Sequence, residues 1–171
     1  MAKVELLTST KRRVVMKRKT FFISILVFAV TSYSLAVGTP DFSGTWILDT
    51  EKSDLGFRAG NASMQKVTLV IKQTATTLSV ERKLANQDET AVFKLDGTES
   101  INKAPSGKDI KSTSSWVGST LVTKSTMEMG NMTAQTTDVR SVSSDGKVMT
   151  IQVTRQTPQG EGKQTLVYNK Q

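Results

Sequence analysis

The chain has 171 residues, a length that fits one domain, and 23 Lys and Arg against 15 Asp and Glu give a formal charge of +8. Seven of those basic residues, against Glu5 alone, lie in residues 1–36, so the remainder carries only +2 and a basic-domain role on nucleic acid is set aside. Cysteine and histidine are both absent. That excludes disulfides, Ser-His-Asp and Cys-His nucleophilic sites, histidine general bases and His/Cys zinc centres.

Residues 11–38 read as an export signal. Lys17-Arg18-Lys19 is a basic n-region, Phe21 to Val30 is apolar at nine of ten positions, and small and polar residues follow. Small residues at Ser34 and Ala36 place cleavage after Ala36, with Gly38 as the second choice. Ten apolar residues are too few to cross ~30 Å of hydrocarbon as a helix, so no stable membrane anchor is expected after cleavage. Met16 begins a complete signal by itself, which makes it the expected true start. The domains are then 1–36, an N-terminal extension and cleaved signal peptide, and 37–171, a single folded domain. A periplasmic or secreted location follows.

The mature chain alternates apolar and polar residues with period two. "GTWILD" (44–49) is a first short strand, and 50–64 is a loop without periodicity. "KVTLVIKQ" (66–73), "TLSVERKL" (77–84) and "ETAVFKLDG" (89–97) are strands; "SINKAPSGKD" (100–109) is mostly loop. "DIKSTSSW" (109–116), "STLVTKSTMEM" (119–129), "NMTAQTTDVRSV" (131–142), "KVMTIQVTRQT" (147–157) and "KQTLVYNK" (163–170) complete the set. Gly118-Ser119, Gly130-Asn131 and Asp145-Gly146 are hairpin-turn material. Asp145-Gly146 is expected to form a two-residue type I′ turn. That register pairs Val142 with Met149, Arg140 with Ile151, Asp138 with Val153 and Thr136 with Arg155. One face then carries Val142, Met149, Ile151 and Val153 together with Asp138, Arg140 and Arg155, and it should point inward. The same argument at Gly130-Asn131 pairs Met129 with Met132 and Met127 with Ala134. Leu166 and Tyr168 are the inward pair of the last strand. Nine or ten hairpin-linked antiparallel strands, with charge on the inner face, suit an up-and-down β-barrel with a partly open interior. A β-sandwich is the alternative.

Three motifs carry a family resemblance: Asp41-Phe42-Ser43-Gly44-Thr45-Trp46 with Lys52-Ser53-Asp54; Trp116-Val117-Gly118-Ser119-Thr120-Leu121; and Val142-Ser143-Ser144-Asp145-Gly146-Lys147. Over residues 41–170 the chain resembles the lipocalin-like, calycin-type secreted barrels of bacteria, whose signature is Gly-x-Trp on the first strand. The resemblance implies that Trp46, entered through Gly44, plugs the closed end. It also implies that a late-strand arginine packs on it, Arg155 or otherwise Arg140.

The expected function is non-enzymatic binding of a small hydrophobic or lipid-like ligand, with no cofactor and no nucleic acid. Cavity candidates are Leu69, Ile71, Leu78, Val80 and Phe93 from the first half. Trp116, Leu121, Met127, Met149, Ile151, Val153, Leu166 and Tyr168 come from the second, with Arg140 and Asp138 as polar contacts. Asp138, Arg140 and Arg155 read either as an anchor for an anionic head or as a structural ion pair with a stacking arginine. Met127, Met129 and Met132 read as a soft-metal site or as apolar lining at the barrel mouth, and no metal is assigned. Glu81, Glu89, Glu128 and Asp138 show no spacing that pairs them for hydrolysis without histidine. Gly107-Lys108 lacks the strand–helix context of a phosphate loop. Asn61-Ala62-Ser63 and Asn131-Met132-Thr133 fit the glycosylation pattern. The alternative function is an interaction module with a filled barrel. A cavity of about 300 Å³ or more separates the two. N-terminal sequencing of exported protein is expected to begin at Val37 or Thr39; an intact Phe21–Val30 segment overturns cleavage.

Overall fold

The computed structural model describes residues 38–56, 67–85, 87–130 and 132–171. The export signal, Asn61, Asn131 and most of the 50–64 loop lie outside the described residues. Ten strands form one sheet: β1 (Gly44–Asp54), β2 (Thr68–Gln73), β3 (Thr77–Lys83), β4 (Asp88–Lys94), β5 (Glu99–Lys103), β6 (Asp109–Val117), β7 (Thr120–Met129), β8 (Met132–Val142), β9 (Val148–Thr157) and β10 (Gly160–Lys170). Their order is β4-β3-β2-β1-β10-β9-β8-β7-β6-β5. Every neighbour is a hairpin partner except β1 and β10, which pair antiparallel across the chain ends. The result is a nearly closed up-and-down barrel; a two-sheet sandwich is overturned by the single continuous ladder. No helix among the described residues is long and apolar enough to cross a membrane.

The late hairpins carry the expected register. Val142 faces Met149, Arg140 faces Ile151, Asp138 faces Val153 and Thr136 faces Arg155. Met127 faces Ala134 and Met129 faces Met132. The turn chemistry differs. Gly146 N–H donates to Ser143 O (2.8 Å), so Ser144 and Asp145 are the central turn residues. Within this loop only Gly146 has positive φ (71°), and no described non-glycine residue does, so the turn is not type I′. Asp145 instead braces the loop, its Oδ1 accepting from the Ser143 hydroxyl (2.5 Å) and the Lys147 N–H (3.1 Å). The loop is two residues longer than expected, an even number, so the side-chain parity survives.

Two boundaries change. β1 continues past Asp49 to Asp54, with an irregularity in its pairing to β10 between those residues. Ser53 bridges the irregularity: its hydroxyl donates to Asp49 O (2.5 Å) and accepts from Val167 N–H (2.9 Å). Residues 100–103, the first part of the 100–109 stretch expected to be mostly loop, belong to β5 (Glu99–Lys103). β4 and β5 share no backbone ladder, and side chains span the seam. Asn102 accepts from Val92 N–H (2.8 Å) and donates back to Val92 O (3.0 Å), while Ser100 Oγ accepts from Lys94 N–H (2.8 Å).

The floor is built from the first motif. Trp46 and Phe42 are fully buried. The Trp46 indole donates to Phe42 O (2.9 Å), and the Phe42 ring stacks on Trp116 with centroids 5.8 Å apart. Gln73 ties the entering segment down, its Oε1 accepting from Phe42 N–H (3.0 Å) and its Nε2 donating to Pro40 O (2.9 Å). The assignment of Arg155 to Trp46 is corrected. The cation over the Trp46 ring is Lys170 Nζ, 5.1 Å from the centroid, delivered by the β1–β10 pair in which Trp46 faces Lys170. Arg140 lies over Phe42 instead, at 5.9 Å. Gly44 adopts φ 133°, and a Cβ there would meet Lys170 Cε at 2.6 Å. The glycine therefore admits the lysine stem that covers the indole.

Trp46→Ala should cost about 3–5 kcal/mol as a large-to-small core change, read by chemical denaturation. Asp49 is held near pKa 2 by hydrogen bonds from Lys52 and Asn169. Its folded pKa lies below the unfolded value near 3.9. The stabilisation is therefore present above pH ~4 and lost as pH falls towards ~2. Thermal melts across that window should fall more for wild type than for Asp49→Asn.

Candidate functional site

The barrel interior divides into two halves along its axis. At the floor, Ile71, Leu78, Leu121 and Met149 pack with Phe42, Trp46 and the half-buried Trp116 as a solid core. These four, with Trp116, were cavity candidates; they line neither interior lobe and form the base beneath them. Inward alternation is the same at both ends of a barrel, so period two cannot separate floor from lumen.

Above the floor the barrel is hollow. One lobe of about 280 Å³ is lined by Val80, Phe93 and Met127 among the expected residues, with Ala91, Ala104 and Ala134 leaving room where larger side chains would fill it. A deeper lobe of about 130 Å³ is lined by Leu69, Val80, Ile151, Val153, Leu166 and Tyr168, with Gln164. Arg82, Thr136, Asp138, Arg140 and Arg155 line both lobes, which makes them parts of one space. Taken together, the lobes reach the ~300–1,000 Å³ range of small-molecule pockets.

The shared wall is charged. Arg140 is 5 % exposed and follows from the β8 register, one turn of the pleat from Asp138. Burial pushes its guanidinium below the ordinary arginine value, while the nearby Asp138 charge and Tyr168 push it back up. A guanidinium so placed keeps its charge. Its Nε has no hydrogen-bond partner, and neither does Gln164 Oε1, on a side chain also 5 % exposed. Arg82 pairs across β3–β4 with Glu89 (3.6 Å). Three arginines thus stand against two acids, and the site carries a net positive charge.

Glu89 and Asp138, scattered in the sequence, do line the larger lobe together, each beside an arginine. Met127 faces the cavity, Met129 is half-buried, and Met132 is exposed and meets Gln159 (3.5 Å). Sequence reasoning missed Arg82 and Gln164. Arg82 lies in a strand read for its apolar residues and for Glu81. Gln164 lies two positions before Leu166, so the inward parity already assigned to Leu166 and Tyr168 contained it. One wall is unexpectedly hydroxylic: Ser112 pairs with Ser125 (2.9 Å), and below it Ser114 pairs with Thr123 (2.8 Å).

No protein-family model matches the chain, and no curated protein sequence does. Solved structures do match. The zebrafish ileal bile acid-binding protein complexed with cholic acid has a TM-score of 0.56 at 18% identity, covering 76% of this chain and 98% of that one. The REP1-NXSQ fatty acid transporter gives 0.53 at 17%, covering 75% and 95%. A Schistosoma mansoni fatty acid binding protein in complex with arachidonic acid gives 0.52 at 21%, covering 76% and 96%. At these identities the likeness establishes the fold alone, an up-and-down barrel of antiparallel strands, ten of them here.

Proposed function

We propose that this chain is an exported, non-enzymatic binder of small amphipathic acids, holding an apolar tail in the larger lobe and an anionic head at the arginines. The observation that carries the reading is Arg140: a fully buried guanidinium on a cavity wall with its Nε unpartnered. A buried charge is costly unless its donors are used, and a carboxylate is the group that uses them best. The tail contributes by leaving water, at about 25 cal/mol per Å² of apolar surface. The solved barrels of like fold hold cholic acid and arachidonic acid, both amphipathic carboxylates, which supports the same class here. The basic and apolar N-terminal stretch supports export, and with it a location in the periplasm or outside the cell. A filled barrel acting through its outer face would describe only the floor half.

Displacement of a fluorescent fatty acid by dodecanoate tests the reading. Arg140→Gln should weaken dodecanoate by roughly tenfold to a hundredfold, the equivalent of one charged hydrogen bond. Dodecanol, which has no charge to pair, should bind both proteins alike. Equal dodecanoate affinity in the two proteins, or no binding to wild type, overturns the assignment.

A further inference from the structure

Two side chains that line the deeper lobe each carry a buried polar atom, and the two atoms have opposite hydrogen-bonding sense. Arg140 Nε is a donor without an acceptor, and Gln164 Oε1 is an acceptor without a donor. Both side chains are 95 % removed from solvent. They stand in neighbouring rows of the inner wall: Arg140 beside Ile151 and Leu166, Gln164 beside Val153 and Asp138. A carboxylate has only acceptors, so it can satisfy Arg140 but not the Gln164 oxygen.

We propose that the natural ligand is a hydroxy acid: an amphipathic carboxylate with a hydroxyl one or two carbons from its head. This rests on the acid-binding reading above and narrows it. The carboxylate accepts from Arg140, the hydroxyl donates to Gln164 Oε1, and the tail runs from the deeper lobe into the larger one past Val80. Arg82, Thr136 and Arg155, which line both lobes, surround the passage between them. The size of the deeper lobe agrees. About 130 Å³ holds a compact polar head, whereas the roomier lobe of about 280 Å³ has Phe93, Ile110 and Met127 for the tail. A site that supplies a partner for a hydroxyl discriminates against the analogue lacking it, because that analogue leaves the protein's own polar atom buried and unpaired.

The test compares dodecanoate with 3-hydroxydodecanoate and 2-hydroxydodecanoate on the full chain and on Gln164→Met, by calorimetry. One of the hydroxy acids should bind wild type roughly tenfold more tightly than dodecanoate. In Gln164→Met that advantage should vanish, so that hydroxy acid and dodecanoate bind the variant about equally whatever its absolute affinity, and a cooperative thermal melt shows that the variant is folded. If Gln164→Met fails to fold, Gln164→Glu should lose less of the advantage than it loses of dodecanoate affinity. Equal binding of all three acids by wild type overturns the hydroxyl contact and leaves the acid-binding reading intact. A hydroxyl advantage that persists in Gln164→Met overturns the role of Gln164. Failure of every acid to bind overturns both readings.

Discussion

The hydrogen bond from the Trp46 indole to the Phe42 carbonyl fixes two aromatic rings across the mouth of the closed end, and the rest of the site is stacked on them. Phe42 lies flat on Trp116, and Arg140 lies over Phe42. The guanidinium is thus positioned by the floor from below and by its own strand from the side. Cation–π contact with a desolvated ring offsets part of the cost of burying it. The other face of the plug is covered by Lys170, whose approach depends on the missing Cβ of Gly44. Lys170, Trp46, Phe42, Trp116 and Arg140 thus form one connected run of contacts.

The hollow above the floor comes from residue size and chemistry. Ala91, Ala104 and Ala134 point where the floor has Leu, Ile and Met, and hydroxyls take much of the β6–β7 wall. Small apolar residues leave volume, and paired hydroxyls cannot collapse into it without losing their partners. The same chain therefore makes a packed core at one end and an open, positively charged lumen at the other.

Much of this architecture is legible in the sequence. Period two and the turn residues give the strands, and loop parity gives the register that aligns Asp138, Arg140 and Arg155. The failures have physical causes. β5 has one large apolar residue, Ile101, which points outward at 58 % exposure, while its inner positions are Ser100 and Asn102. A strand whose inner face serves a polar seam carries no hydrophobic alternation to read. The Asp145-Gly146 turn uses one positive φ where two were expected, because Asp145 binds its own loop. The stacking partner of Trp46 comes from β10, and only the pairing of the chain's two ends, which no local pattern encodes, selects Lys170 over an arginine. The division into floor and lumen depends on depth along the axis, and alternation carries no information about depth.

The pairing of β1 with β10 has a consequence in time. Asn169 binds Asp49 across 120 residues, so the contact that closes the ring is also among the longest in the chain. Contacts of such separation close late and slow folding, since a long loop must be ordered before they form. Until β10 emerges from the ribosome the other nine strands have no way to complete a cylinder, and their inner face stays open along one edge. A nascent chain is then a slow folder by construction, with its barrel unclosed until β10 has been made. Closure of the ring is therefore a step that waits for the eleven-residue strand β10.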